Sequence, residues 1–288
     1  MCKPRAQFIT FLVLMTWTFS PLLGQDLVWK SGTVITLRYM DDRILVAADS
    51  HESSDSSDVP NQVCKIMRLD DHTFFVAEGM DRIEGPHPYD TFQLARRAYS
   101  EVASHQLEEV ATRWADLMVT SFEPVARDDL DFFGKIITPW RLAGAILGTV
   151  SDNGFELYYA DVGLTMNPDP VNLGQFHPLF WKKVWPIHPA DTGGISVFGS
   201  SDRKLVMDFV RVRTKPAANA RNVWQQAVDT GKEQDVEVSF LRAAVQYELD
   251  NATDKKAVGG YVDILELRKG GKAIWVDAKP KCKHDLQK

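Results

Sequence analysis

Gly32-Thr33-Val34-Ile35-Thr36-Leu37-Arg38-Tyr39-Met40-Asp41-Asp42-Arg43-Ile44-Leu45-Val46-Ala47-Ala48-Asp49-Ser50 is the stretch that decides the fold. Two β-rich runs, 33–40 and 43–50, flank Asp41-Asp42, which reads as the tight turn of a hairpin. In the second run Ile44-Leu45-Val46-Ala47-Ala48 is apolar at every position, so successive side chains on both faces of that strand need cover.

Outward from this hairpin the chain repeats the theme. After a polar loop, His51 to Asn61, a second hairpin runs from Cys64-Lys65-Ile66-Met67 through Asp70-Asp71-His72 to Phe74-Phe75-Val76-Ala77. From Tyr89 to Met118 the apolar spacing becomes helical, with Phe92, Leu94, Ala95, Ala98, Tyr99, Val102, Leu107, Val110, Trp114 and Leu117 forming a stripe over one or two helices. Strands return at 141–149 and 155–161 around Asp152-Asn153-Gly154, and again at 195–198; helical patterns follow near 202–213, 217–229 and 235–249. A last hairpin pairs 261–267 with 272–276 across Arg268-Lys269-Gly270-Gly271. Strands apolar on both faces, split by helix pairs, predict an α+β domain in which two antiparallel sheets pack together with helices outside. The stretch 163–194, with its prolines and no clear period, reads as a long surface excursion.

The 288 residues are 44% hydrophobic and 25% charged, within the globular range, and the formal net charge of −6 offers no footprint for a polyanion. Nucleic acid is therefore not an expected partner. Lys3 and Arg5, the apolar run Phe8 to Phe19, and Ser20-Pro21-Leu22-Leu23-Gly24 have the order of a secretory signal peptide, predicting a secreted or periplasmic protein; an uncleaved N-terminal anchor is the alternative. Residues 25–32 then form a short propeptide, 33–280 the folded domain and 281–288 a polar tail. Removal of the signal takes Cys2, leaving Cys64 and Cys282; export permits a bridge between them, but a buried strand thiol and a free tail thiol are the favoured reading. No spacing such as HExxH or CxxC occurs, and no metal or other cofactor is expected.

Four positions carry chemistry. Asp49 stands 16 positions after Thr33, Lys65 stands 32 after and Gly79 stands 46 after, with Gly32 directly in front. Taken singly they have plainer readings: a strand threonine, a turn aspartate, an edge lysine and a hairpin glycine. Taken together, the block from Gly32 to Gly79 resembles the proteasome β subunits, members of the N-terminal-nucleophile (Ntn) hydrolases. Gly148 to Gly163, Phe198-Gly199-Ser200-Ser201 and Asp254 to Gly260 are weaker matches, so the resemblance covers roughly 33–267.

The resemblance implies a four-layer αββα sandwich. It also implies self-cleavage after Gly32, with Thr33 as nucleophile, Lys65 beside its hydroxyl, Asp49 holding Lys65, and the Gly79 N–H facing the oxyanion. Ser200 and Asp254 would serve the new amine, Ser200 relaying its proton. A threonine hydroxyl needs a base within reach, and a freed α-amine, with a pKa of about 7.7–8.0, supplies one on the same residue. Val258 occupies the place of the family's late serine, and Lys255 falls where strict spacing expects the aspartate. The implied activity is a self-processing threonine hydrolase cleaving peptide bonds, a homo-oligomer being one possible assembly. The rivals are a non-catalytic scaffold on the same fold and an amidohydrolase for small amides.

Overall fold

The computed structural model describes residues 33–52, 61–80, 82–83, 86–128, 140–168, 176–188, 193–199, 203–253, 260–280 and 282. The predicted signal segment and propeptide, Gly32, Ser200, Asp254, Lys255 and Val258 lie outside them.

Alternation of side chains along the first hairpin sets the architecture. In β1 (Val34–Tyr39) and β2 (Arg43–Asp49), Ile35, Leu37, Tyr39, Ile44, Val46 and Ala48 enter one apolar core, while Val34, Leu45 and Ala47 enter another. The all-apolar β2 is thus covered on both sides, as its sequence requires. Five strands form the first antiparallel sheet, in the order β12 (Ile195–Gly199), β1, β2, β13 (Val262–Arg268), β14 (Ile274–Asp277). The second runs β11 (Phe176–Pro186), β10 (Gly154–Pro168), β9 (Trp140–Ser151), β6 (Thr73–Gly79), β5 (Ile66–Arg68). Two small pairs, β3 (His51–Glu52) with β4 (Asn61–Gln62) and β7 (Arg82–Ile83) with β8 (Tyr89–Asp90), complete the strands among the described residues.

Phe74, Val76, Ile146, Leu157 and Tyr159 of the second sheet meet the inward face of the first in a shared core. The opposite face of the second sheet, through Phe75, Ala77, Ala145 and Val162, packs on α1 (Thr91–Glu101) and α2 (Leu107–Asp128), where Trp114 and Phe122 are fully buried. The outer face of the first sheet packs on α3 (Arg203–Arg211), α4 (Lys215–Asp229) and α5 (Val236–Asn251) through Phe209, Phe240, Leu241 and Val245. Local caps fix where these helices begin. Asp90 accepts the amides of Phe92 and Gln93 ahead of α1, and Asp235 accepts those of Glu237 and Val238 ahead of α5. Among the described residues no helix is long and apolar enough to cross a membrane.

Two expectations need correction. The stretch 163–194 is not an excursion over most of its length. β10 continues to Pro168, and β11 pairs with it from Tyr158↔Pro186 to Pro168↔Phe176. An edge strand tolerates Pro178 and Pro186 because only one side of it is needed for pairing, and Leu179 and Trp185 stay exposed along this edge, which blurs the alternation. The second concerns the thiols: Cys64 and Cys282 are joined in a disulfide rather than free. Lys279, paired with Asp263 of β13 and donating to the Val63 carbonyl, holds the chain end beside the start of β5.

Candidate active site

Strand direction brings the predicted residues to matching ends of the two sheets. In the first sheet β1 begins where β2 and β12 end, with Val34 opposite Gly199 and Val262 opposite Asp49, so Thr33, Asp49 and Gly199 share one edge. In the second sheet β5 begins and β6 ends together, Ile66 opposite Val76, which sets Lys65 and Gly79 at one edge. The two edges meet. The Val63 amide donates to the Ser50 carbonyl at 3.0 Å, tying the residue after Asp49 to the approach to Lys65, and Phe198 stacks on Tyr159 with centroids 5.3 Å apart.

Thr33, Asp49 and Lys65 are all buried. A carboxylate and an ammonium out of water stay ionised only with charged or hydrogen-bonding neighbours. One such contact is the Val34 amide, which donates to Asp49 Oδ1 at 3.1 Å. Asp49 therefore holds the residue next to Thr33, a role the sequence reading had not assigned to it. In this uncut chain Thr33 is joined to Gly32, and its nitrogen is an amide.

Two glycines are required for this packing. Gly199 has φ +131°, and a Cβ there would run into the carbonyl oxygen of Thr33. Gly79 has φ +80°, and a Cβ would come within 2.5 Å of the Leu142 carbonyl oxygen. Both dihedrals lie where a side chain costs energy, so the start of β1 and the end of β6 depend on side-chain-free residues.

Beside Gly79 lies a polar cluster that sequence reasoning missed. Glu78 is 1% exposed and points between the sheets, where its Oε1 touches the Arg141 guanidinium and accepts the Tyr159 hydroxyl. Arg141 also donates from Nε to Asp161 Oδ1 at 2.7 Å and lies over the Tyr159 ring. Gly144 opposite Glu78 leaves room for the trio, since a Cβ there would strike all three side chains. Burial, and after it the charge of Asp161, pushes the Glu78 carboxyl up to about 8, against the opposing pull of the Arg203 charge. Asp161 is also raised by burial, against the pull of Arg141. The signal was present in the sequence, since Glu78 interrupts the apolar run Phe74-Phe75-Val76-Ala77.

A groove of about 420 Å³ lined by Phe209, Trp224, Ser239, Arg242 and Tyr247 lies among α3, α4 and α5 and contains none of the predicted site residues. No protein-family model matches the chain, and no curated protein matches it.

Proposed function

We propose that the chain is a self-processing threonine hydrolase of the proteasome β-subunit type, exported and acting on peptide bonds. One observation carries this reading: Thr33, Asp49, Lys65 and Gly79, predicted from spacing, lie at adjoining edges of two packed antiparallel sheets. The placement of helices outside both sheets agrees with the αββα order of Ntn hydrolases.

The chemistry follows from a free Thr33. Attack of its hydroxyl oxygen on the Gly32 carbonyl carbon, with transfer of the acyl group from nitrogen to oxygen and hydrolysis of the resulting ester, releases the propeptide 25–32 and bares the α-amine. In turnover that amine takes the hydroxyl proton as the oxygen adds to a substrate carbonyl. The oxyanion forms opposite the Gly79 N–H, a contact whose loss costs about 2.7–4 kcal/mol in other hydrolases. The ammonium returns its proton to the departing amine, and water then hydrolyses the Thr33 ester. Lys65, a buried cation, favours the deprotonated oxygen and the neutral amine, and Asp49 holds the strand start. Ser200 and Asp254 complete the relay on this reading.

Intact-mass analysis and turnover test the proposal together. The expected result is a mature chain beginning at Thr33, cleaving members of a peptide panel, with both processing and turnover lost in Thr33→Ala. A mature chain beginning upstream, with Thr33 internal, refutes it. Cleavage confined to small amides assigns the site to an amidohydrolase instead. Val258 in the place of the late serine favours a second reading, a non-catalytic scaffold on the same fold. That reading predicts an unprocessed Thr33 and a stable oligomer without turnover.

A further inference from the structure

The chain entering β5 is held by a clamp made from the C-terminal turn. Val63 donates its amide to the Ser50 carbonyl at 3.0 Å and accepts from Lys279 Nζ at 2.9 Å. The next residue, Cys64, is bonded to Cys282. Lys279 is 6% exposed, and its ammonium is paired at 2.6 Å with Asp263, which is fully buried and also accepts the Lys279 amide at 3.0 Å. Cys282 Sγ lies 3.8 Å from Asp263 Oδ2, and the Cys282 amide donates to the Lys279 carbonyl, so the polar and covalent halves form one unit. Asp263 belongs to β13, where it faces Ala48, the residue before Asp49, and the Tyr261 amide donates to Ser50 Oγ at 2.7 Å.

Lys65 follows this clamp directly and precedes Ile66, which is already paired with Val76 in the second sheet. Its backbone is therefore bounded on one side by the clamp and on the other by the β5–β6 ladder. Nothing in a general account of this fold needs a disulfide so close to the lysine. A bridge serving only to staple the chain end would do so from any surface position, whereas this one closes on the neighbour of a buried cation.

We propose that Lys279, Asp263 and the Cys64–Cys282 bridge are positioning groups for Lys65, and that the thiol–disulfide state of the bridge controls the site; this rests on the Thr33 reading above. In a thiol-rich compartment both cysteines are reduced and the approach to β5 has only its polar tie. An external disulfide, such as oxidised glutathione or a protein dithiol oxidase, then exchanges with the pair: Cys64 and Cys282 lose two electrons and two protons in forming the bond, and the oxidant becomes two thiols. Lys65 is thereby fixed beside Thr33, so self-cleavage and turnover begin after export rather than before it. Misplacement by about 1 Å at a reacting centre costs on the order of 100-fold in rate, so a loosened clamp suffices to silence the site without unfolding the domain.

The test uses the full chain, oxidised and then treated with a dithiol reductant until mass shows both thiols free. Lysine acetylation by an amine-reactive ester is followed at the Lys65 peptide, alongside kcat, KM and far-ultraviolet circular dichroism; Cys64→Ser/Cys282→Ser and Lys279→Gln are measured in parallel. The expected result is a rise of about tenfold or more in Lys65 labelling and a fall of about tenfold or more in kcat, with KM and dichroism unchanged. Oxidised glutathione restores the reduced wild-type chain but not the serine variant. Unchanged labelling and kcat after complete reduction overturn the proposal. So does loss of the dichroism signal in both the reduced chain and the serine variant, which makes the bridge a staple of the whole domain. If the oxidised chain has no turnover that depends on Thr33, the hydrolase reading fails, and the labelling alone decides whether the clamp places Lys65.

Discussion

Replacing Gly199 by alanine measures how tightly the start of β1 is held. Two glycines share nearly the same φ, Gly199 at +131° and Gly154 at +137°. At Gly154 an added Cβ meets nothing within 4 Å, whereas at Gly199 it strikes the Thr33 carbonyl oxygen and lies 3.1 Å from both Thr33 C and Val34 Cα. The dihedral penalty, about 1–3 kcal/mol, and the opposing gain of about 0.4–1 kcal/mol from a less flexible unfolded chain are common to both substitutions. With φ matched, the collision dominates their difference, about 1–3 kcal/mol for overpacking against backbone. With a urea slope of about 3 kcal/mol per M, the Gly199→Ala midpoint should lie roughly 0.3–1 M below that of Gly154→Ala. Equilibrium urea unfolding followed by tryptophan fluorescence reads both. The same pair separates stability from chemistry: Thr33-dependent turnover should fall in Gly199→Ala and hold in Gly154→Ala. Coincident midpoints with equal turnover refute the reasoning, since they would mean that Thr33 yields freely and Gly199 does not seat it.

Glu78 predicts a pH dependence of definite sign. Its carboxyl is raised from its ordinary 4.5 to about 8, so the stability it contributes is present below about 4.5 and is lost as pH rises through 8. Glu78→Gln should therefore leave stability at pH 5 little changed and flatten its decline toward pH 9, as measured by urea midpoints across that range; a wild-type midpoint that rises over this interval contradicts it. Asp49→Ala strands the buried Val34 amide and should cost about 1–3 kcal/mol, while Asp49→Asn keeps an acceptor and should cost less, read by the same denaturation series. Trp114→Ala empties the centre of the core between the second sheet and α2 and should cost about 3–5 kcal/mol, with no loss of Thr33-dependent turnover at temperatures where the variant is folded.

The hairpins at 33–50 and 64–77, the helical stripe before 118 and the closing hairpin were readable from local pattern, because alternation and helical spacing record which face of an element is buried. Thr33, Asp49, Lys65 and Gly79 were readable as residue types at intervals, and the fixed rise of paired strands turns those intervals into positions along two sheet edges. β11 was not readable: an edge strand with prolines and one solvated face carries little periodic signal, and β10 rather than its own sequence supplies its partner groups. Local sequence also could not say that Glu78, Arg141, Tyr159 and Asp161 would meet, or that Cys282 would close on Cys64 at a separation of 218 residues. Such contacts join side chains distant along the chain: the pairing of β6, β9 and β10 within the second sheet gathers the first group, and the packing of the C-terminal turn against the approach to β5 closes the disulfide.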